Sequence, residues 1–215
     1  MVTGVSAHRE LFERAIEVGA QLIVVHHGLF WEGAPLPLSP AMAARLKLLL
    51  EADVSLAAYH LPLDAHPHVG NNALIAEKLG CETSEPFSEL RGVPIGVAGR
   101  FAGDGIAADE LFGRVRDVTD REPLVFAHGP ERVRAIGIVS GGAPDQVEDA
   151  IAAGLDAFLT GEPAERVMAT AREGAIHFIA AGHYATETFG VRRLGELLAD
   201  RFGVEHRFVD VPNPV

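Results

Sequence analysis

The residues in this chain that can do chemistry gather just after short apolar runs. Leu22–Val25 leads into His26-His27-Gly28, and Val54–Tyr59 into His60-Leu61-Pro62-Leu63-Asp64. Asp156–Leu159 leads into Thr160-Gly161-Glu162, and Ile176–Ala180 into Gly182-His183-Tyr184-Ala185-Thr186-Glu187. Imidazole and carboxylate groups of this kind serve borderline divalent ions such as Zn²⁺, Mn²⁺ and Fe²⁺. Mg²⁺ and Ca²⁺ favour oxygen-only sites, and iron–sulfur clusters want several cysteines. Three imidazoles with two carboxylates suit a pair of such ions. Two ions about 3.5–4 Å apart activate a shared water and stabilise a developing oxyanion.

Each cluster also has a bland reading. His26-His27 alone reads equally as one core and one exposed histidine, since neighbours within a strand face opposite sides; beyond the strand end that constraint lapses, and Gly28 permits a sharp turn. Asp64 reads as the cap of a proline-stiffened turn or as a carboxylate between two cations, with His60 orienting ligands behind it. His183 and Glu187 are spaced i, i+4 and share a face if a helix starts there, or Glu187 faces solvent. Glu162 is an ordinary helix-first-turn glutamate or an acid/base group. His66 and His68 read as further ligands or, by preference, as loop surface or supporting groups, and Asn71-Asn72 as caps of the following helix. Trp31 is core or a pocket wall. Cys81 is packing, since no charged neighbour adjoins it.

The elements that must position these groups alternate. The pattern predicts helices over Ser6–Val18 (capped by Ser6 and stopped by Gly19), Pro40–Ala52, Asn71–Leu79 (stopped by Gly80), 107–117, 143–153, 163–172 and 185–200. Strands are expected at 22–25, 54–59, 94–100, 134–139, 156–159, 176–180 and 206–211, with the polar stretch Cys81–Leu90 as a connector. This strand–helix rhythm implies a largely parallel sheet covered by helices. In such sheets sites form beyond the carboxyl ends of the strands, where all four clusters fall.

Composition narrows the field. The chain has 215 residues, 48% apolar and 22% charged, and a formal net charge of −12. It lacks the clustered Lys and Arg that a nucleic-acid partner requires. No apolar run approaches the roughly 18–20 residues of a membrane span, and no secretory signal pattern opens the chain. One cysteine among ten histidines fits a reducing compartment, so a cytoplasmic location is expected. The Gly141-Gly142 turn after Ser140 has neither the dinucleotide fingerprint nor a P-loop Lys, and there is no Gly-x-Ser-x-Gly elbow.

Taken together, LIVVHHGLFW at Leu22–Trp31, YHLPLDAHPHVGNN at Tyr59–Asn72, LTGE at Leu159–Glu162, AAGHYATE at Ala180–Glu187 and VPNPV at Val211–Val215 resemble the Nif-three-like family of dinuclear-metal proteins, often called GTP cyclohydrolase type 2. The resemblance implies metal ligands at His26, His27, Asp64, His183 and Glu187, with Asp64 bridging two divalent ions (Zn, Mn or Fe). It implies a two-lobed α/β fold of three-layer sandwiches with largely parallel sheets. The first lobe would take residues 1–88 and 187–215, the inserted second lobe 89–186, with the metal site between the lobes. It also implies a ring-shaped homohexamer.

The expected activity is metal-dependent hydrolysis of a small molecule, a nucleotide being the candidate, with Glu162, His60 or His66 moving protons. The alternatives are a non-catalytic metal-binding adaptor, a metal-handling protein, or a metal-dependent peptidase or phosphoesterase. Two departures stand out. Family chains usually carry some tens of residues before the equivalent of Thr3-Gly4-Val5, a segment that builds part of the first lobe. Tyr184 and Thr188 stand where the family usually has His and Arg.

Overall fold

The computed structural model describes residues 1–33 and 37–215. The chain forms two compact units, Met1–Leu63 with Gly190–Pro212 and Asp64–Phe189 with Asn213–Val215. In chain order the first unit supplies β1 (Val2–Ser6), α1 (Arg9–Glu17), β2 (Leu22–His27), α2 (Pro40–Glu51) and β3 (Ser55–Ala58), and α3 (Leu61–Asp64) leads out of it. The second unit holds α4 (Asn71–Leu79), β4 (Thr83–Leu90), β5 (Val93–Arg100), β6 (Ile106–Ala107), α5 (Ala108–Thr119), β7 (Leu124–Ala127), β8 (Arg132–Val133) and β9 (Ala135–Ile138). It continues with α6 (Val147–Ala152), β10 (Ala157–Thr160), α7 (Val167–Glu173), β11 (His177–Ala180) and α8 (His183–Thr186). Helix α9 (Thr188–Phe202) returns the chain to the first unit, which closes with β12 (Arg207–Phe208).

The first sheet runs β12-β1-β2-β3 and is parallel throughout. All its carboxyl ends therefore lie along one edge, which is what brings residues after β2 and β3 together. Apolar side chains of α1 (Leu11, Phe12, Ala15) and Leu49 of α2 close over Ile23 and Val25. Gly4 is part of this packing, because a Cβ there would sit 2.7 Å from the Leu11 side chain. Helix α1 starts later than expected. Ser6 ends β1 paired with His27, and the cap is His8, whose Nδ1 accepts from the Leu11 N–H at 3.2 Å. Burial pushes the His8 pKa down, which keeps the acceptor nitrogen unprotonated.

The second unit centres on a six-stranded sheet, β4-β5-β9-β10-β11-β7. Its middle strands β9, β10 and β11 are parallel, and the flanking pairs antiparallel. The stretch expected as a connector is the edge strand β4. It reads as polar because Phe87 is its one buried side chain. That ring takes the place of a side chain at Gly137, whose added Cβ would lie 2.9 Å from it. Strand β7, not anticipated, holds the opposite edge, with Phe126 stacked on Phe178 at 5.5 Å. Period-two alternation then sorts the strands. Ile136, Ile138, Leu159 and Ile179 meet Ile75 and Leu79 of α4 and Leu111 and Val115 of α5. Helices α6 and α7 pack against β9, β10 and β11 from the other face. Helix α4 ends as expected at Gly80, in the left-handed conformation at φ 86°.

Late in the chain a single helix is expected, and two are found. In the first unit the α9 surface at Gly195 takes the His206 ring, which Thr3 Oγ1 holds at 2.9 Å through Nε2. A Cβ on Gly195 would stand 2.1 Å from that nitrogen. Gly195→Ala is therefore expected to lower stability by about 1–3 kcal/mol through overpacking. Gly113→Ala, inside α5 with its nearest neighbour 3.8 Å away, should raise it by about 0.5–1 kcal/mol. Urea midpoints of the two variants should shift in opposite directions.

Candidate metal centre

In the first unit, β2 carries its pleat through both histidines, so the expected release at Val25 does not occur there. His26 is fully buried, and its Nδ1 lies 3.0 Å from the Tyr59 carbonyl oxygen. A carbonyl only accepts, so Nδ1 carries the proton and Nε2 presents a lone pair. His27 Nδ1 meets Ser6 Oγ at 3.0 Å. His60, just past β3, completes the group, its ring centroid 4.9 Å from that of His26 and 5.3 Å from that of His27. One nitrogen from each of the three lies within 4.8 Å of the others, close enough for one ion. Gly28 serves this edge by close approach: a Cβ there would lie 2.9 Å from Ala58 Cβ. Trp31, half exposed, stands edge-on to His60 at 4.9 Å, so it is a wall and not core.

The second unit contributes a carboxylate–imidazole–carboxylate arrangement. His183 Nδ1 hydrogen-bonds Glu162 Oε1, and His183 Nε2 stands 3.2 Å from Glu187 Oε2. The Glu187 carboxylate, and after it Glu162, raise the imidazole pKa to about 9 against the opposing effect of burial. The i, i+4 spacing thus does bring His183 and Glu187 together. Glycines make room for them. Gly182 takes φ 94°, and a Cβ on Gly161 would collide with the His183 backbone at 2.6 Å. A Cβ on Gly141 (φ 70°) would stand 2.3 Å from Glu187 Oε1. By sequence alone Gly141 is an ordinary turn after Ser140, and Gly161 draws no notice beside Glu162. Their role rests on a long-range approach that no local pattern encodes.

Asp64 Oδ1 accepts from Asn71 Nδ2 at 2.7 Å and from Ser140 Oγ at 3.2 Å. Neither Asn71 nor Asn72 caps α4; the cap position is Gly70, which has no side chain to offer. Asn72 instead donates to the Ile95 carbonyl at 2.6 Å and accepts from the Ser140 N–H at 2.7 Å. Asn71 thus holds the Asp64 carboxylate directly, and Asn72 holds the backbone of Ser140, whose hydroxyl bonds the same oxygen, a function the sequence disguised as helix capping. His66 is exposed, and its Nδ1 accepts from the His68 and Val69 N–H groups at 3.2 Å each. Thr188 closes its own turn through Oγ1 to the Ala185 carbonyl at 3.3 Å.

Residues 1–214 match the Duf34/NIF3 (NGG1p interacting factor 3) family. The chain belongs to the Duf34/NIF3 family. A Pseudomonas aeruginosa relative named GTP cyclohydrolase 1 type 2 homolog is 46% identical over 215 residues, all of this chain and 84% of that protein. The solved structure of protein ybgI, of unknown function, superposes with a TM-score of 0.93 at 39% identity, over 100% of this chain and 85% of that one. One from Thermus thermophilus gives 0.88 at 36% identity, over 100% and 84%. The α/β fold expected from the sequence is the family's. Among the described residues no helix is long and apolar enough to cross a membrane.

The donor set suits a divalent ion of the Zn, Mn or Fe kind. It consists of imidazole nitrogens and carboxylate oxygens, without thiolate. The anchoring of His26 on a carbonyl and of His183 on Glu162 is how metal-binding histidines are oriented.

Two outcomes are expected for the metal-free protein. The His183 imidazole should titrate near 9 by NMR, and Glu187→Gln should bring it down. Because that pKa lies above the ordinary value of about 6.5, its contribution to stability is complete below about 6.5 and is lost as pH rises through about 9. Separately, Asn72→Ala should cost about 1–3 kcal/mol in chemical denaturation, since it strands the Ser140 N–H and the Ile95 carbonyl in the interior.

Proposed function

We propose that this protein is a metal-dependent hydrolase acting on a small molecule, with two divalent ions held by His26, His27, Asp64, His183 and Glu187. The observation that carries the reading is the His183 arrangement, in which one ring nitrogen is bound to Glu162 and the other is turned to the buried Glu187. A purely structural histidine has no need of two carboxylates, whereas a metal ligand needs one behind it and others beside it. A bound divalent ion would supply Lewis acidity and a water of lowered pKa.

The chain's own residues do the rest. Glu162 holds the His183 Nδ1 proton and is about two-fifths exposed, so it can pass protons to solvent. The proton on His183 Nε2 must leave before that nitrogen can ligate, so loading at neutral pH releases a proton and tightens as pH rises toward about 9. Asn71 and Ser140 set the direction of Asp64. His60, beside His26 and His27, is either a further ligand or the proton carrier for the water. Its neighbour Trp31 screens that side from solvent. His66 spends Nδ1 on a turn, which leaves Nε2 for any proton transfer. The name shared by curated relatives, GTP cyclohydrolase 1 type 2 homolog, supports a nucleotide as substrate. A cytoplasmic homohexamer is the setting we propose for it.

Elemental analysis of protein loaded with Zn²⁺, Mn²⁺ or Fe²⁺ should find about two ions per chain, following the two-ion arrangement. GTP, a phosphodiester and a short peptide are then offered to the loaded protein. Turnover of GTP, reduced by roughly 10²-fold or more in Asp64→Ala and Glu187→Ala, is the expected result. Full metal with no turnover of any of the three would replace the hydrolase reading with that of a metal-binding adaptor. Turnover of the peptide or the diester alone would change the substrate class.

A further inference from the structure

The last three residues of the chain belong to the second unit although Gly190–Pro212 belong to the first. They meet the segment that carries His183. The Tyr184 N–H donates to the Val215 carbonyl oxygen at 3.0 Å. Arg121 donates through an Nη atom to the Pro214 carbonyl at 2.5 Å. The same guanidinium lies on the backbone of Gly182, where an added Cβ would come within 2.7 Å of it. The tail is bent to fit, since Asn213 Oδ1 accepts from the Val215 N–H at 3.0 Å. His183 is therefore flanked on both sides: the residue before it is covered by Arg121, and the residue after it is bonded to the tail.

We propose that Arg121 and Asn213–Val215 form a latch that positions His183 for metal binding. The latch ties the turn on both sides of His183, through the planar guanidinium on Gly182 and through the hydrogen bond from the Tyr184 N–H to the tail. Gly182 needs the help. At φ 94° and ψ 127° it occupies a conformation that glycine reaches without cost but does not hold by preference. Arg121 supplies the preference by packing on it. This role rests on the metal reading above for its consequence, but not for its geometry. Arg121 and the tail are positioning groups and touch no reacting atom.

The test compares the full chain with Arg121→Ala, Arg121→Lys and a chain ending at Pro212. Two measurements are made on each: amide exchange across 182–186 in metal-free protein, and titration with Co²⁺ alone, followed by its ligand-field absorption. The expected result is faster exchange at Tyr184 and a loss of about 10–100-fold in Co²⁺ affinity for Arg121→Ala and the shortened chain, the range for groups that orient a metal ligand. The absorption band should change shape, and the urea midpoint should stay close to that of the unaltered protein. Arg121→Lys retains a donor for Pro214 but not the flat cover on Gly182, and should fall between. Unchanged exchange at 182–186, or unchanged Co²⁺ affinity and spectrum despite faster exchange, would overturn the latch. If the unaltered chain binds no Co²⁺, the metal reading fails, and the exchange data still decide whether the tail holds this turn.

Discussion

An imidazole set between two carboxylates is expensive to maintain in a partly buried place, and the second unit is arranged around keeping it. His183 sits with Glu162 on one nitrogen and Glu187 on the other. Without a cation the group can satisfy both acids only by taking up a proton itself, which is why its pKa rises to about 9. A proton and a divalent ion compete for the same nitrogen. The charge balance of this cluster therefore makes sense in two states, protonated or metal-loaded, and poorly in the neutral, empty one.

The geometry that allows this comes from what is missing from side chains as much as from what is present. Parallel β9, β10 and β11 deliver three chain ends side by side. The ends can converge because Gly141, Gly161 and Gly182 carry no Cβ where one would strike Glu187, the His183 backbone or Arg121. In the first unit the same logic uses Gly28 against Ala58. There the parallel order of β1, β2 and β3 sets Ser6, His27 and His26 on one edge. The contact of His27 with the Ser6 hydroxyl and the hydrogen bond that His26 donates to the Tyr59 carbonyl then choose ring orientations.

How much of this could be read beforehand depends on the range of the interaction. Helix α4 and its Gly80 stop were legible, because periodicity and a left-handed glycine are local properties. The pairing of His183 with Glu187 was legible too, since i, i+4 spacing carries it. Strand β4 was not: an edge strand exposes most of its side chains, so Thr83–Leu90 has the composition of a loop. Nor was the role of Asn71 and Asn72, whose position after Gly70 mimics capping while their partners lie 7 to 68 residues away in sequence. The start of α1 was misplaced because a histidine cap, His8, is a less familiar signal than the serine two residues before it.

The buried amides show why the site residues cannot be understood as a set of ligands alone. Asn72 bonds the backbone of β5 through Ile95 and the backbone after β9 through Ser140, and Ser140 in turn bonds Asp64. A shift between these two strands would therefore turn the Asp64 carboxylate. Packing beneath, from Ile138 and Ile75, resists that shift. Carboxylate direction is thus inherited from sheet register. A substitution in the apolar core of the second unit that loosened β5 against β9 would misdirect Asp64 without touching it, whereas one on the exposed edge strand β4 would be absorbed by β5 before reaching Asn72. The chain's tolerance to change should accordingly follow distance from that hydrogen-bonded line more closely than distance from the histidines.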